Sequence, residues 1–329
     1  MQKLVFGSMA LVVLLVGSGV LCGDVDAAER ARLIHIGALT DSWGPTPQVV
    51  GLRDGLLHLG YREHEQFVLG VRFTQGDLAA LPAAAQQLVQ YDVDLIFATD
   101  MTAAKAAQMA TTRIPIVFAG GGGNPVETGL VQSFARPGSN ITGVTTLDIE
   151  LGPKRLEVFR ELIPGLHRVL FPYDPADAVA KAALQVYRDA ARRLGIVLVE
   201  QAVQTPEEAQ ALTQLHKGEV DGILPPPATT SLNISGFVME AAAQQAIPTM
   251  FNGVFWVERG ALASYGPDFY GSGWQAARLV DKILKGAKPA EIPVEVNSKI
   301  DFAINLKVAE ALGLTIAPEV LFRADRLVR

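Results

Sequence analysis

Leu33-Ile34-His35-Ile36-Gly37-Ala38-Leu39 is a largely apolar run, and it is followed by a helical pattern, Leu59-Gly60-Tyr61, and a second run, Phe67-Val68-Leu69-Gly70-Val71-Arg72-Phe73. The same order returns in the second half of the chain. Arg168-Val169-Leu170-Phe171-Pro172-Tyr173 precedes a helical pattern that closes at Leu194-Gly195-Ile196, and Val197-Leu198-Val199-Glu200-Gln201-Ala202-Val203 follows. Runs without polar alternation suit strands covered on both faces. A strand, a helix and a second strand, repeated, predict an α/β protein of two doubly wound parallel-sheet lobes with right-handed crossovers.

The pattern extends outward from these two units. Further strands are predicted over 95–99, 114–120, 141–146, 222–224, 247–251 and 261–265. Helices are predicted over 47–59, 81–90, 184–194 and 274–284. Thr46 suits the cap of the first, Pro47 its first turn and Gly60 its end. At 329 residues the chain has room for two domains of about 150 residues each.

Composition narrows the function. A net charge of -6 provides no electrostatic footprint for nucleic acid. The five histidines, His35, His58, His64, His167 and His216, show no pairing at metal-ligand spacing, and no Gly-x-Ser-x-Gly elbow is present. His35, inside a strand, is expected to be packed in the core. These absences point away from an enzyme and call for no cofactor.

The N-terminus reads as an export signal. Lys3 supplies a positive start, an apolar stretch runs over 4–21, and Val25-Asp26-Ala27 offers small residues for cleavage, so residues 1–27 are expected to be removed. Cys22, the single cysteine, lies where a lipid anchor would attach. The expected location is therefore periplasmic or otherwise extracytoplasmic.

In doubly wound sheets, ligands sit beyond the carboxyl ends of the strands. Those ends carry polar or glycine-rich loops: Thr40-Asp41-Ser42-Trp43, Thr99-Asp100-Met101-Thr102, Gly120-Gly121-Gly122-Gly123-Asn124, Tyr173-Asp174-Pro175, Phe251-Asn252-Gly253 and Tyr265-Gly266-Pro267-Asp268. Taken singly, each such residue is also a common cap or turn former. Together they predict a cleft rimmed by both lobes, with Asp41, Thr99, Thr102, Asn124, Asp174, Tyr265 and Asp268 as candidate ligand contacts. Trp43, Tyr173 and Tyr265 offer flat surfaces. Gly271-Ser272-Gly273-Trp274-Gln275-Ala276 matches a loose dinucleotide fingerprint, but it does not open directly off a strand, and close helix packing is the better reading. The four glycines from Gly120 lack the lysine and Ser/Thr of a P-loop and suit a close-approach binding loop.

Several segments, in their order and spacing, resemble one family. They are Gly55-Leu56-Leu57-His58-Leu59-Gly60-Tyr61, Ile114-Pro115-Ile116-Val117-Phe118-Ala119, Asn124-Pro125-Val126-Glu127-Thr128-Gly129-Leu130-Val131, Ala135-Arg136-Pro137-Gly138-Ser139-Asn140-Ile141-Thr142-Gly143, Ser264-Tyr265-Gly266-Pro267-Asp268, residues 280–289 and Ile304-Asn305-Leu306-Lys307. The chain from Leu33 to Arg329 resembles the substrate-binding proteins of ABC transporters, of the tryptophan-binding type. The resemblance implies a type I periplasmic-binding fold with three crossovers. It implies lobe one over 28–146 plus 267–296 and lobe two over 147–266 plus 297–329. It also implies capture of a small organic ligand, an amino acid among the candidates, by hinge closure in a monomer, and docking on an ABC permease in the membrane. A ligand-sensing module for a membrane receptor kinase is the alternative use of the same scaffold. The sequence departs from the family pattern at Asp100-Met101-Thr102, Asn124 and Asp174-Pro175, all on the predicted ligand rim.

Overall fold

The computed structural model describes residues 32–227 and 231–329. The predicted signal and Cys22 lie outside the described residues. Leu33–Arg329 form one compact unit. The chain begins with β1 (Ile34–Thr40), α1 (Pro47–His58), β2 (Phe67–Phe73), α2 (Leu81–Gln90), β3 (Leu95–Ala98), α3 (Met101–Ala110), β4 (Ile116–Gly120) and β5 (Ile141–Thr146). It continues through α4 (Gly152–Leu162), β6 (Arg168–Tyr173), α5 (Ala178–Leu194), β7 (Val197–Ala202), α6 (Pro206–Ala211), β8 (Gly222–Ile223), α7 (Ile234–Gln245), β9 (Met250–Phe251), α8 (Val254–Val257) and β10 (Ala263–Pro267). It ends with α9 (Phe269–Leu284), β11 (Glu295–Asn297), β12 (Ile300–Asn305), α10 (Leu306–Ala311), α11 (Pro318–Arg323) and β13 (Arg326–Val328).

Two sheets result. The first is all parallel, in the order β11-β5-β4-β3-β1-β2. The second joins β7-β6-β8 to β9-β10-β12-β13 through a parallel bridge between Ile223 and Thr249. Its β10–β12 pair is antiparallel, a departure from the all-parallel expectation. The chain leaves the second sheet at the end of β10 and re-enters it at the start of β12, where Pro267 pairs with Ile300, so the two strands run in opposite directions. The chain passes between the sheets three times: after β5, after β10 and after β11.

Each sheet separates two apolar layers, which is what doubly wound packing requires. In the first, Leu52 and Leu56 of α1 pack with Ala276, Ala277 and Val280 of α9 on one face. Leu88 of α2 and Ala103 and Ala107 of α3 fill the other. In the second sheet, Phe159 of α4 and Tyr187 of α5 cover one face, and Ile234 and Val238 of α7 cover the other. Burying one such leucine or phenylalanine contributes about 1.5–3 kcal/mol.

Local signals act as the sequence suggests. Thr46 accepts a bond from the Val49 N–H at the start of α1, and Gly195 adopts φ 66° at the end of α5. The glycine motif before Trp274 is a packing device. A Cβ on Gly273 would meet the Gln48 carbonyl oxygen at 1.9 Å, and one on Gly51 would meet the Tyr270 carbonyl oxygen at 2.1 Å, so α1 and α9 touch backbone to backbone. His35 corrects the expectation of a core position: it is exposed near the start of β1, while Ile34 packs partly against the core and the five residues from Ile36 are buried.

Candidate ligand cleft

The carboxyl ends of β1, β3 and β4 in the first sheet and the loops after β6, β8 and β9 in the second converge on one cavity of about 410 Å³. That volume is within the range of small-molecule sites. Its floor on the first-sheet side is made by Thr40, Asp41, Thr99, Asp100 and Thr102 together with Gly121 and Gly122. Gly120 leads in at φ 152°, and a Cβ there would meet the Thr99 carbonyl oxygen at 2.3 Å, so the loop can come this close only with glycine. The second sheet contributes Asp177, Asn252, Phe255, Trp256 and Arg259, and Phe269 opens α9 beside Gly253. Trp43 stands 55% exposed at the rim.

The aromatic wall is held internally. Trp256 stacks on Phe251 at 4.8 Å between ring centroids and meets Phe255 edge-on at 5.0 Å. The Arg259 guanidinium lies 3.7 Å over the Phe255 ring.

The acidic groups fall into two kinds. Asp148 lies in the link between β5 and α4. Its Oδ1 accepts from Arg155 Nη2 at 2.5 Å, and its Oδ2 accepts from Asn252 Nδ2 at 2.7 Å. Arg155 is fully buried and also donates to the Tyr187 hydroxyl at 2.6 Å and to the Tyr265 carbonyl oxygen at 2.5 Å. Asp100 and Asp177 instead cap helices. Asp100 Oδ1 accepts from the Ala103 N–H at 2.8 Å, and Asp177 Oδ1 accepts from the Val179 N–H at 2.8 Å. Burial, with the nearby Asp41 charge added, pushes the Asp100 carboxyl up to about 7. Burial pushes Asp177 up to about 6 despite its cap bonds, and Asp41 and Asp174 add to the effect.

Of the seven candidate residues, Asp41, Thr99 and Thr102 line the cavity. The other four are outside its lining. Asn124 accepts from the Val126 N–H and donates to Glu127, within its own turn. Asp174 accepts from the Ala176 N–H. Asp268 caps α9 through the Gly271 N–H and holds Lys299 at 2.9 Å. Tyr265 packs on Phe302 and lines a separate pocket of about 230 Å³. Tyr173 lies near Phe171 and, like Tyr265, does not join Trp43 in the cavity. Among the lining residues that the seven candidates omitted are Asp100, Asp148, Asp177, Asn252, Phe255, Trp256 and Arg259. Asn252 and Asp177 follow strands and were open to the strand-end rule; Asp148 and Arg259 carry no local signal. Among the described residues no group of three His, Cys, Asp or Glu could hold a metal ion.

A cavity at the carboxyl ends of two doubly wound sheets, with three chain passages between them, defines the type I periplasmic-binding-protein fold. Residues 41–328 match the family model described as ABC transporter substrate binding protein, and the chain belongs to that family, one of binding proteins rather than enzymes. It is 28% identical over 288 residues to a tyrosine-binding protein of Clostridioides difficile (strain R20291), covering 87% of this chain and 82% of that one. A crystal structure of a conserved domain protein from Vibrio cholerae O1 biovar El Tor is 31% identical, with a TM-score of 0.80, covering 89% of this chain and 99% of that one. The ABC domain of Streptococcus pneumoniae in complex with L-Trp is 26% identical, with a TM-score of 0.77, covering 90% and 99%.

Proposed function

We propose that the protein captures an amino acid or a closely related small amine outside the cytoplasm and delivers it to an ABC permease. The carrying observation is the 410 Å³ cavity, in which carboxylates and aromatic rings stand together. A carboxylate pairs with an ammonium group, and flat rings cover an apolar side chain. The names of two relatives, one tyrosine-binding and one holding L-Trp, support the same ligand class.

Capture works by closure. The lobes over 28–146 plus 267–296 and over 147–266 plus 297–329 move as bodies about the three passages, and a ligand that touches both stabilises the closed form. A monomer delivered through residues 1–27 as an export signal, with Cys22 as the alternative site of a lipid anchor, completes the reading. Among the described residues no helix is long and apolar enough to cross a membrane.

Thermal-shift screening across the amino acids, sugars, nucleosides and organic acids tests the ligand class. A ligand at a thousand times its Kd stabilises the folded state by about 4 kcal/mol. Stabilisation by an amino acid is the expected outcome. Stabilisation only by sugars or organic acids would sink the reading.

A further inference from the structure

An amino acid brings a carboxylate as well as an amine, and the cavity has few places for an anion. The starts of four helices around it are closed by side chains. Thr46 accepts from the Val49 N–H at the start of α1, and Asp100 accepts from the Ala103 N–H at the start of α3. Asp177 and Asp268 close α5 and α9 in the same way. Gln48 spends its amide on the Thr99 carbonyl oxygen at 3.3 Å. Arg155, behind the wall, is matched by Asp148. Among the described lining residues one cation remains, Arg259.

Arg259 stands in the turn that closes α8, where its backbone N–H donates to the Trp256 carbonyl oxygen at 3.1 Å. Its guanidinium lies 3.7 Å over the Phe255 ring. A stacked guanidinium spends its face on the ring and keeps its N–H donors in the plane. One of them reaches the Phe255 carbonyl oxygen at 3.3 Å. Among the described residues no carboxylate pairs with Arg259, and the neighbouring Glu258 pairs with Arg326 at 2.6 Å. The start of α7 has no side-chain cap, and Asn233 and Gly236 line the same cavity, so the positive end of that helix also favours an anion there. Resting on the capture of an amino acid, we propose that Arg259 receives the ligand's carboxylate and makes the cleft select an amino acid over the same molecule with that carboxylate neutralised. Two N–H groups of the fork match the two oxygens, which gives direction as well as charge. The stack on Phe255 holds the fork before the ligand arrives, so less side-chain freedom is lost on binding. Arg259 is then a specificity-determining residue, while Asp148 and Arg155 hold the wall.

Isothermal titration calorimetry tests this with each amino acid that stabilises the protein in the thermal-shift screen, paired with its primary amide. The amide keeps the amine and the side chain and lacks the negative charge, and at pH 6.5 the amine of both is charged. The acid is expected to bind about tenfold tighter than the amide, the size of one hydrogen bond to a charged group. Arg259→Gln is expected to weaken the acid about tenfold and to leave the amide within about twofold. Arg259→Lys, which keeps the charge and loses the fork, is expected to fall between the two. Arg259 is exposed, so both variants are expected to fold, and an unchanged thermal midpoint without ligand checks it. Equal binding of acid and amide by the wild type overturns the carboxylate recognition and leaves capture of an amine standing. A margin that survives in Arg259→Gln overturns the assignment to Arg259. Full affinity for the acid in Arg259→Lys overturns the fork. If no amino acid stabilises the protein, the capture reading falls, and this inference with it.

Discussion

Asp148 and Asp100 both face one cavity, yet the fold treats them in opposite ways. Asp148 meets a fully buried guanidinium and an asparagine amide, so its charge is matched and its position fixed. Asp100 meets a backbone N–H, the Thr99 hydroxyl and the unfavourable field of Asp41. The difference separates a carboxylate matched by a cation from one that caps a helix against burial and a like charge. It also shows that burial alone does not fix the state of a carboxylate: the partner decides whether the charge is matched within the fold.

The largest effect that would break this comparison is expected at Arg155. Arg155→Met leaves Asp148 buried against an apolar chain and is expected to cost about 3–5 kcal/mol of stability. Urea denaturation measures it, and a loss under 1 kcal/mol would mean that the pair is not the brace described here. A smaller effect of opposite sign is expected at Asp100. Its carboxyl is raised in the folded state, so between about pH 4 and 7 the folded protein binds more protons than the unfolded chain, and the contribution of Asp100 to stability falls as pH rises through that window. Asp100→Asn removes this burden. The variant should match the wild type near pH 4 and exceed it by on the order of 1–3 kcal/mol at pH 8 without ligand. A gap that stays constant with pH would contradict the raised carboxyl.

The smallest effect concerns a carboxylate outside the cavity. Asp268→Ala removes the cap of α9 and is expected to cost about 1 kcal/mol of stability with ligand affinity unchanged. Calorimetric titration with whichever ligand the wild type binds checks the second half, and a tenfold loss of affinity would bring Asp268 back among the contacts.

Much of the framework was legible in the chain. The ranges of β5, β6 and α2 coincide with the sequence expectation. α5 and α9 begin earlier than their apolar stripes suggested, at caps formed by Asp177 and Asp268. β11, β12 and β13 were not anticipated. β11 and β13 span three residues each, too few to show a period, and they exist only because a sheet edge is available to pair with them. The same limit applied to the cleft. The strand-end rule located the rim, and Asp41, Thr99 and Thr102 line the cavity, but the rule could not separate a residue turned inward from one that closes its own turn, as Asn124 and Asp174 do.

By itself the sequence determined the alternation of strands and helices, the doubly wound sheets and the close helix packing of the glycine motif before Trp274, since these follow from periodicity, caps and the size of a side chain; that α1 is the partner came from the structure. Only the tertiary structure decided which acids share a cavity and which of them is neutralised. Arg155 reaches Asp148 across a link and Asn252 reaches it across 104 residues, and such pairing depends on distance in space, which no local pattern encodes.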